Sequence, residues 1–209
     1  MPFEDGPLVA AIMPTRGREI LACQALQMFL DQTWPNKEIV IVDDLEDRSF
    51  AMTPDFDGVR YHLMERRLTI GAKRNIAIKN AAGSIIVHWD SDDSYRGDRI
   101  AHQVELLMSR GVDMVGYNTM EFRDYQTPES RMYYGMPHYP IGVSMCYWKR
   151  VWEERPFKNI DVGEDNDFKD GRSVYAVPAG GRIVARVHDG NVSDKREPWE
   201  KNTTQWRPI

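Results

Sequence analysis

Residues 83–98 read GSIIVHWDSDDSYRGD. Ile85, Ile86 and Val87 form a short apolar run behind Gly83, the pattern of a buried strand. The run leads through His88 and Trp89 into three carboxylates within four positions, Asp90, Asp92 and Asp93. A buried strand that ends in acids places them at its carboxyl edge, where open α/β sheets bind ligands. Crowded anions repel one another unless positive charge sits among them, and hard divalent cations take oxygen ligands. The competing reading is an acidic turn, because Asp and Ser are good turn residues. Taken alone, the stretch does not choose between the two.

Upstream, residues 8–13 (LVAAIM) are a continuous apolar run closed by Pro14, as expected for the first strand of a parallel sheet. The turn that follows carries Arg16 and Arg18. A helix is predicted over 19–32, with Ile20, Cys23, Leu26, Met28, Phe29 and Leu30 as its apolar stripe. Residues 38–44 (EIVIVDD) predict a second buried strand, again ending in acids, Asp43 and Asp44. The alternative for that pair is a loop with a helix cap. Residues 45–57 read as a loop or short irregular helix, and 59–64 as a third strand. A helix over 71–82 turns Ala77, Ile78 and Ala81 inward and carries Lys73, Arg74 and Lys79. Cations near a helix start oppose its dipole. Lys73 and Arg74 form either a solvated face or a group that awaits an anion.

Downstream, 99–109 predicts an amphipathic helix with Ile100, Val104, Leu107 and Met108 inward, and 112–117 a further strand. Residues 121–140 are rich in Tyr, Met and Arg without clean periodicity. They read as a strand pair or a loop over the site, with aromatics for the core or for stacking on a sugar or base. Residues 141–147 predict a strand and 149–154 a short helix. Residues 161–168 (DVGEDNDF) gather Glu164, Asp165 and Asp167, which either serve chemistry or cap a helix that starts near Asp167. The last two strands, 175–178 and 182–187, are joined by a turn signal at Ala179-Gly180-Gly181, and His188-Asp189-Gly190-Asn191 follows.

The 209-residue length suits one domain over 1–192 with a C-terminal arm or tail over 193–209. A net charge of −5 gives no general affinity for nucleic acid. Cys23 and Cys146 lie far apart within apolar patterns, so buried free thiols and a reducing compartment are expected. Residues 1–14 lack the charged start of a signal peptide, and no apolar stretch reaches membrane-span length. The expected location is therefore cytoplasmic. Alternating strands and helices in the first half predict an α/β fold, a mostly parallel Rossmann-like sheet flanked by helices, with a small antiparallel addition. Neither G-x-G-x-x-G nor G-x-x-x-x-G-K-[ST] occurs, so phosphates have no glycine cradle of those kinds.

The ordered set LVAAIMPTRGRE, EIVIVDD, GAKRNIAI, HWDSDDS, GEDNDF and HDGNVS resembles the inverting family 2 glycosyltransferases of GT-A fold, from about Leu8 to Asn191. Lys73 stands where Ala is common in that family, and Ala77 where Gly is common. The resemblance implies a nucleotide-sugar donor, a UDP-sugar before others, and a hydroxyl acceptor of unspecified class. It implies donor contacts from Pro14, Thr15, Arg16, Asp44, Lys73, Arg74, Asp90, Ser91 and Asp92. Mn²⁺ or Mg²⁺ would lie at Asp92, Asp93 and His188, and the general base would be Asp165 or, second, Glu164. That chemistry is self-consistent, since a divalent cation stabilises a departing diphosphate and a carboxylate deprotonates the attacking hydroxyl. A nucleotidyltransferase would need a Gly-rich, Lys-containing first loop, which PTRGRE lacks. A phosphohydrolase would carry its acidic motif after the first strand. A non-catalytic sugar- or nucleotide-binding module is the remaining alternative.

Overall fold

The computed structural model describes residues 6–44, 50, 55–127, 129–191 and 205–209. The predicted loop over 45–57 and the start of the predicted C-terminal arm therefore lie largely outside the described residues. Strand β1 (Val9–Thr15) pairs in parallel with β2 (Lys37–Asp44) on one side and β4 (Ile85–His88) on the other. Strand β3 (Val59–Met64) adds in parallel outside β2. Strands β1, β2 and β4 are covered on both faces, which is why they read as unbroken apolar runs.

Alternate residues of β1 serve two cores. Val9, Ala11 and Met13 pack with α1 (Glu19–Leu30) and α3 (Arg99–Arg110). Ala10 and Ile12 pack with Ala77 and Ile78 of α2 (Ile70–Asn80), and with Phe157 and Phe168. Helix α1 buries Ala22, Ala25, Leu26 and Phe29, a stripe at i, i+3, i+4 and i+7. This is narrower than the predicted stripe. Ile20 is 73% exposed and Cys23 also faces solvent, whereas Cys146 is buried as expected; both thiols are free. Met108 on α3 is likewise outward, at 58% exposure.

The second half is built on β6 (Met114–Asp124). It runs antiparallel to β7 (Ser130–Tyr134) and to β8 (Cys146–Trp148), and β8 closes the gap to β4. Of the two readings for 121–140, the strand pair is the one formed. The predicted strand 141–147 is shorter, because Gly142–Ser144 makes one 3₁₀ turn. Ser144 Oγ there accepts the Tyr117 N–H (2.8 Å) and donates to the Ile141 carbonyl (2.7 Å), competing with a regular ladder. After α4 (Lys149–Glu154) and α5 (Glu164–Lys169) come β9 (Val174–Pro178) and β10 (Ile183–Val187). They do not form a hairpin. Both run parallel to β6, β9 along its first part and β10 along its last, with a register shift between Tyr117 and Thr119. The small strand β5 (Ser94–Tyr95) pairs with β10, and β11 (Trp206–Pro208) with β7.

The main path is β11-β7-β6-β8-β4-β1-β2-β3. Strand order reverses between β1 and its two parallel neighbours. Such a switch point opens a crevice at the carboxyl ends of the strands.

Candidate active site

That crevice is a cleft of about 1480 Å³. Every residue predicted for the site lines it: Pro14, Thr15 and Arg16 after β1, Asp44 after β2, and Lys73 and Arg74 on α2. Asp90, Ser91, Asp92 and Asp93 follow β4, Glu164 and Asp165 open α5, and His188 follows β10.

Lys73 and Arg74 are buried, not solvated. The first turn of α2 is capped by Thr69, whose Oγ1 accepts the Ala72 N–H (3.2 Å), and by Asp161, whose Oδ1 accepts the Ile70 N–H (2.9 Å). This fixes the helix so that the two cations point into the sheet edge. Lys73 Nζ donates to the Thr15 carbonyl and pairs with Asp44 Oδ1, both at 2.8 Å. Burial lowers its pKa, and Asp44 counters only part of that. Arg74 pairs with Glu164 and lies 3.6 Å from Asp90 Oδ1. Burial works against its charge, but Asp90, Glu164 and Asp165 outweigh that and hold its pKa above the usual value.

The three acids after β4 differ in environment. Asp92 pairs with Arg18, and the His188 Nε2 lies 3.0 Å from its Oδ2. Burial pushes Asp92 upward, yet the His188 and Arg18 contacts hold it below the ordinary carboxylate value. Asp93 accepts the Arg186 N–H (3.0 Å), but burial and its neighbours Asp92 and Asp90 raise it well above that value. Asp90 is also raised, chiefly by burial, against the pull of Arg74; its Oδ1 makes no hydrogen bond. Ser91 Oγ is buried without a partner. Beneath them Arg99 is fully buried, donates to the His88 carbonyl (2.7 Å) and lies over the rings of Trp89 and Tyr95.

Carboxylates held against their charge and an imidazole are a donor set that suits a hard divalent cation. Among the described residues no three His, Cys, Asp or Glu side chains come together so as to hold a metal ion. Arg18 stands on the same Asp92 oxygen that would serve as ligand, and it also donates to the Gly190 carbonyl.

The two acids of α5 part company. The helix begins at Glu164, three residues earlier than a cap near Asp167 would require, after Gly163 in the left-handed conformation (φ 83°). The Glu164 side chain is 7% exposed and committed to Arg74. Burial raises its pKa. The Asp165 side chain is 22% exposed, and its Oδ2 lies 3.3 Å from Lys169 Nζ. Burial would raise Asp165, but Lys169 and Arg74 keep it below its ordinary value, which favours the ionised form of this cleft-lining carboxyl.

Three cations in or beneath the cleft are not marked as site residues by the sequence. Arg18 was visible only as a turn residue. Lys169 had a signal, since it stands four positions after Asp165 on one helix face. Arg99 had none, because nothing local marks a helix-start Arg as buried.

The sheet order and a carboxyl-edge cleft define the GT-A class. The chain is similar to the Staphylococcus aureus TarS 1–349 structure in complex with UDP-GlcNAc (TM-score 0.67, 16% identity, 88% of this chain and 59% of that one). It is also similar to the mannosyltransferase PcManGT from Pyrobaculum calidifontis in complex with GDP-Man and Mn²⁺ (TM-score 0.63, 16% identity, 91% and 62%). Residues 10–166 match the model of Glycosyl transferase family 2, and the chain belongs to that family. Among curated relatives, the putative teichuronic acid biosynthesis glycosyltransferase TuaG of Bacillus subtilis is 30% identical over 121 residues, 54% of this chain and 48% of its own. The putative colanic acid biosynthesis glycosyl transferase WcaA of Escherichia coli is 30% identical over 158 residues, 73% and 55%. The chain thus spans about half the length of these relatives. Among the described residues no helix is long and apolar enough to cross a membrane.

Proposed function

We propose that the chain transfers a sugar from a nucleoside-diphosphate sugar, with a UDP-sugar first among candidates, to a hydroxyl acceptor with inversion at the anomeric carbon. One observation carries this reading. Asp44 with Lys73, the acids Asp90 to Asp93, and Asp165 meet in a single cleft at the carboxyl ends of β1, β2 and β4. The family, and the UDP-GlcNAc and GDP-Man held by structures of the same fold, support it.

In this reading Asp44 lies at the base and ribose end, beside Pro14, Thr15 and Arg16. Lys73 holds Asp44 and the β1 end in place, and Arg74 sets the acids on both sides of the donor sugar. Asp165 takes the proton of the acceptor hydroxyl as its oxygen attacks C1, and the C1–O bond to the diphosphate breaks with its electron pair. One displacement with one base inverts the centre. A divalent cation, Mn²⁺ or Mg²⁺, would be held by Asp92 and Asp93 with His188 beside them, and when bound it stabilises the leaving diphosphate as a Lewis acid. The proposal takes 1–192 as the transferase domain and 193–209 as an arm, with β11 on the sheet edge. Free Cys23 and Cys146 support a reducing, cytoplasmic setting.

The test is calorimetry with UDP-glucose, UDP-N-acetylglucosamine and GDP-mannose, with Mn²⁺ or with chelator, on the parent and Asp92→Ala. One donor should bind the parent with Mn²⁺-dependent affinity, and that dependence should vanish in the variant. Binding of none of the three overturns the donor reading. Unchanged Mn²⁺ dependence in Asp92→Ala removes Asp92 from the cation site.

A further inference from the structure

We propose that Lys169 is a positioning residue for the Asp165 carboxylate, forming with the 139–142 turn a clamp that holds the base toward the acceptor. The inference rests on the reading of Asp165 as general base.

Lys169 is the last residue of α5, and its side chain is 2% exposed. Its Nζ donates to the Pro140 carbonyl (2.9 Å), lies 3.3 Å from Asp165 Oδ2, and sits 4.6 Å from the centre of the Tyr139 ring. Gly142 stands against the same carboxylate, where an added Cβ would overlap its Oδ2 and Cγ. The carboxylate thus packs against both a backbone with no side chain and a buried ammonium. The ammonium is tied to the Pro140 carbonyl, two residues before Gly142, so both jaws belong to one segment.

The other charges around Asp165 are already engaged. Arg74 from α2 is committed to Glu164 and faces Asp90. Glu164, on the same helix, and Asp90, after β4, add negative charge. Lys169 is therefore the cation in direct contact with the base. Burying a lysine is costly, and its own pKa is pushed down by burial despite Asp165. A loop pin needs no such group, since a neutral side chain can pack there.

The sign of the effect is fixed. Asp165 must be ionised to accept a proton, and Lys169 favours the ionised form. Without Lys169, the carboxyl retains its proton to higher pH, and the acid limb of the rate profile moves up. A purely structural loss would lower the rate without moving that limb.

The experiment follows donor hydrolysis. Water takes the acceptor's place: its oxygen bonds to C1, its proton goes to Asp165, and the nucleoside diphosphate leaves with the bond pair. Turnover of UDP-glucose, UDP-N-acetylglucosamine and GDP-mannose with Mn²⁺ is measured across pH, together with nucleotide affinity. Lys169→Met should lower kcat on the order of tenfold to a hundredfold, keep nucleotide affinity within about twofold, and shift the acid limb to higher pH. Lys169→Arg should bring the limb back toward that of the parent. An unmoved limb in Lys169→Met, whether kcat is parental or lowered, overturns the proposal. Should that variant fail to fold, Gly142→Ala displaces the carboxylate from the other jaw. Parental kcat and limb in Gly142→Ala are equally fatal. Asp165→Asn separates the two levels. If it keeps the parental rate and limb, the base assignment itself fails. If it loses turnover while Lys169→Met behaves as the parent, Lys169 alone is wrong.

Discussion

Glu164 and Asp165 are neighbours in sequence and carry the same kind of group, yet their surroundings assign them different work. Glu164 neutralises Arg74 in a buried pair, whereas Asp165 keeps access to the cleft. Asp165→Asn removes the proton acceptor and preserves shape, so transfer should fall by about 10²–10⁴-fold with donor affinity nearly intact. Glu164→Ala strands a buried guanidinium, and breaking such a pair costs about 3–5 kcal/mol of stability. Urea unfolding and donor turnover on both variants check the division. A stable, inactive Glu164→Ala beside a fully active Asp165→Asn would exchange the two roles. The family resemblance ranks Asp165 before Glu164 as the base, but nothing in the residues around the two acids separates them. The deciding partner, Arg74, lies ninety positions away and has no local signature linking it to Glu164. The same blindness left Lys73 and Arg74 open between a solvated face and a group awaiting an anion, because burial of a cation is decided by what packs over it.

Helices and strands were legible to the degree that burial was two-sided. β1, β2 and β4 are apolar on both faces and read directly as strands, whereas 121–140 has one covered face at most and showed no period. The bounds of α2 were close, but the reason for Gly71 lay elsewhere. Its N–H donates to the Ile160 carbonyl (3.1 Å), and an added Cβ would overlap the Lys158 carbonyl. Asn75 Nδ2 also donates to the Phe157 carbonyl (2.8 Å), so the segment before α5 is stitched along α2. Two effects compete in Gly71→Ala. Alanine favours the helix by about 1 kcal/mol. Overpacking against backbone, which has no rotamer to yield, costs about 1–3 kcal/mol. The clash should win, leaving the variant less stable by up to roughly 2 kcal/mol, with weaker donor binding because Lys73 and Arg74 ride on the same turn. Chemical denaturation measures it, and a variant as stable as the parent would show that residues 158–160 give way freely.

At the scale of the whole molecule the sheet has two unequal parts. The parallel part, β3-β2-β1-β4, presents the acids and their cations from strand ends. The mixed part around β6 builds a far wall, and its outermost strand, β11, brings Trp206 to the cleft. Trp206 is 9% exposed and meets Phe122 and Tyr133, each at 4.8 Å between ring centres. The sequence marked this Trp only as part of an arm of uncertain order, since a three-residue strand has no periodicity to read. Trp206→Ala removes the aromatic contact that anchors β11 to β7. Large aromatic truncations in cores cost about 3–5 kcal/mol, and an edge site that can collapse falls at the low end, about 3 kcal/mol. Apart from His188 after β10, the donor elements follow β1, β2 and β4 or ride on α2, away from β11, so nucleotide affinity should change by less than about twofold. Any acceptor that rests on the far wall would feel the loss, so transfer to it should fall more than donor hydrolysis does. Thermal unfolding, nucleotide calorimetry and the ratio of transfer to hydrolysis test the three parts separately. A loss of nucleotide affinity equal to the loss of transfer would mean that the two parts of the sheet do not divide the work.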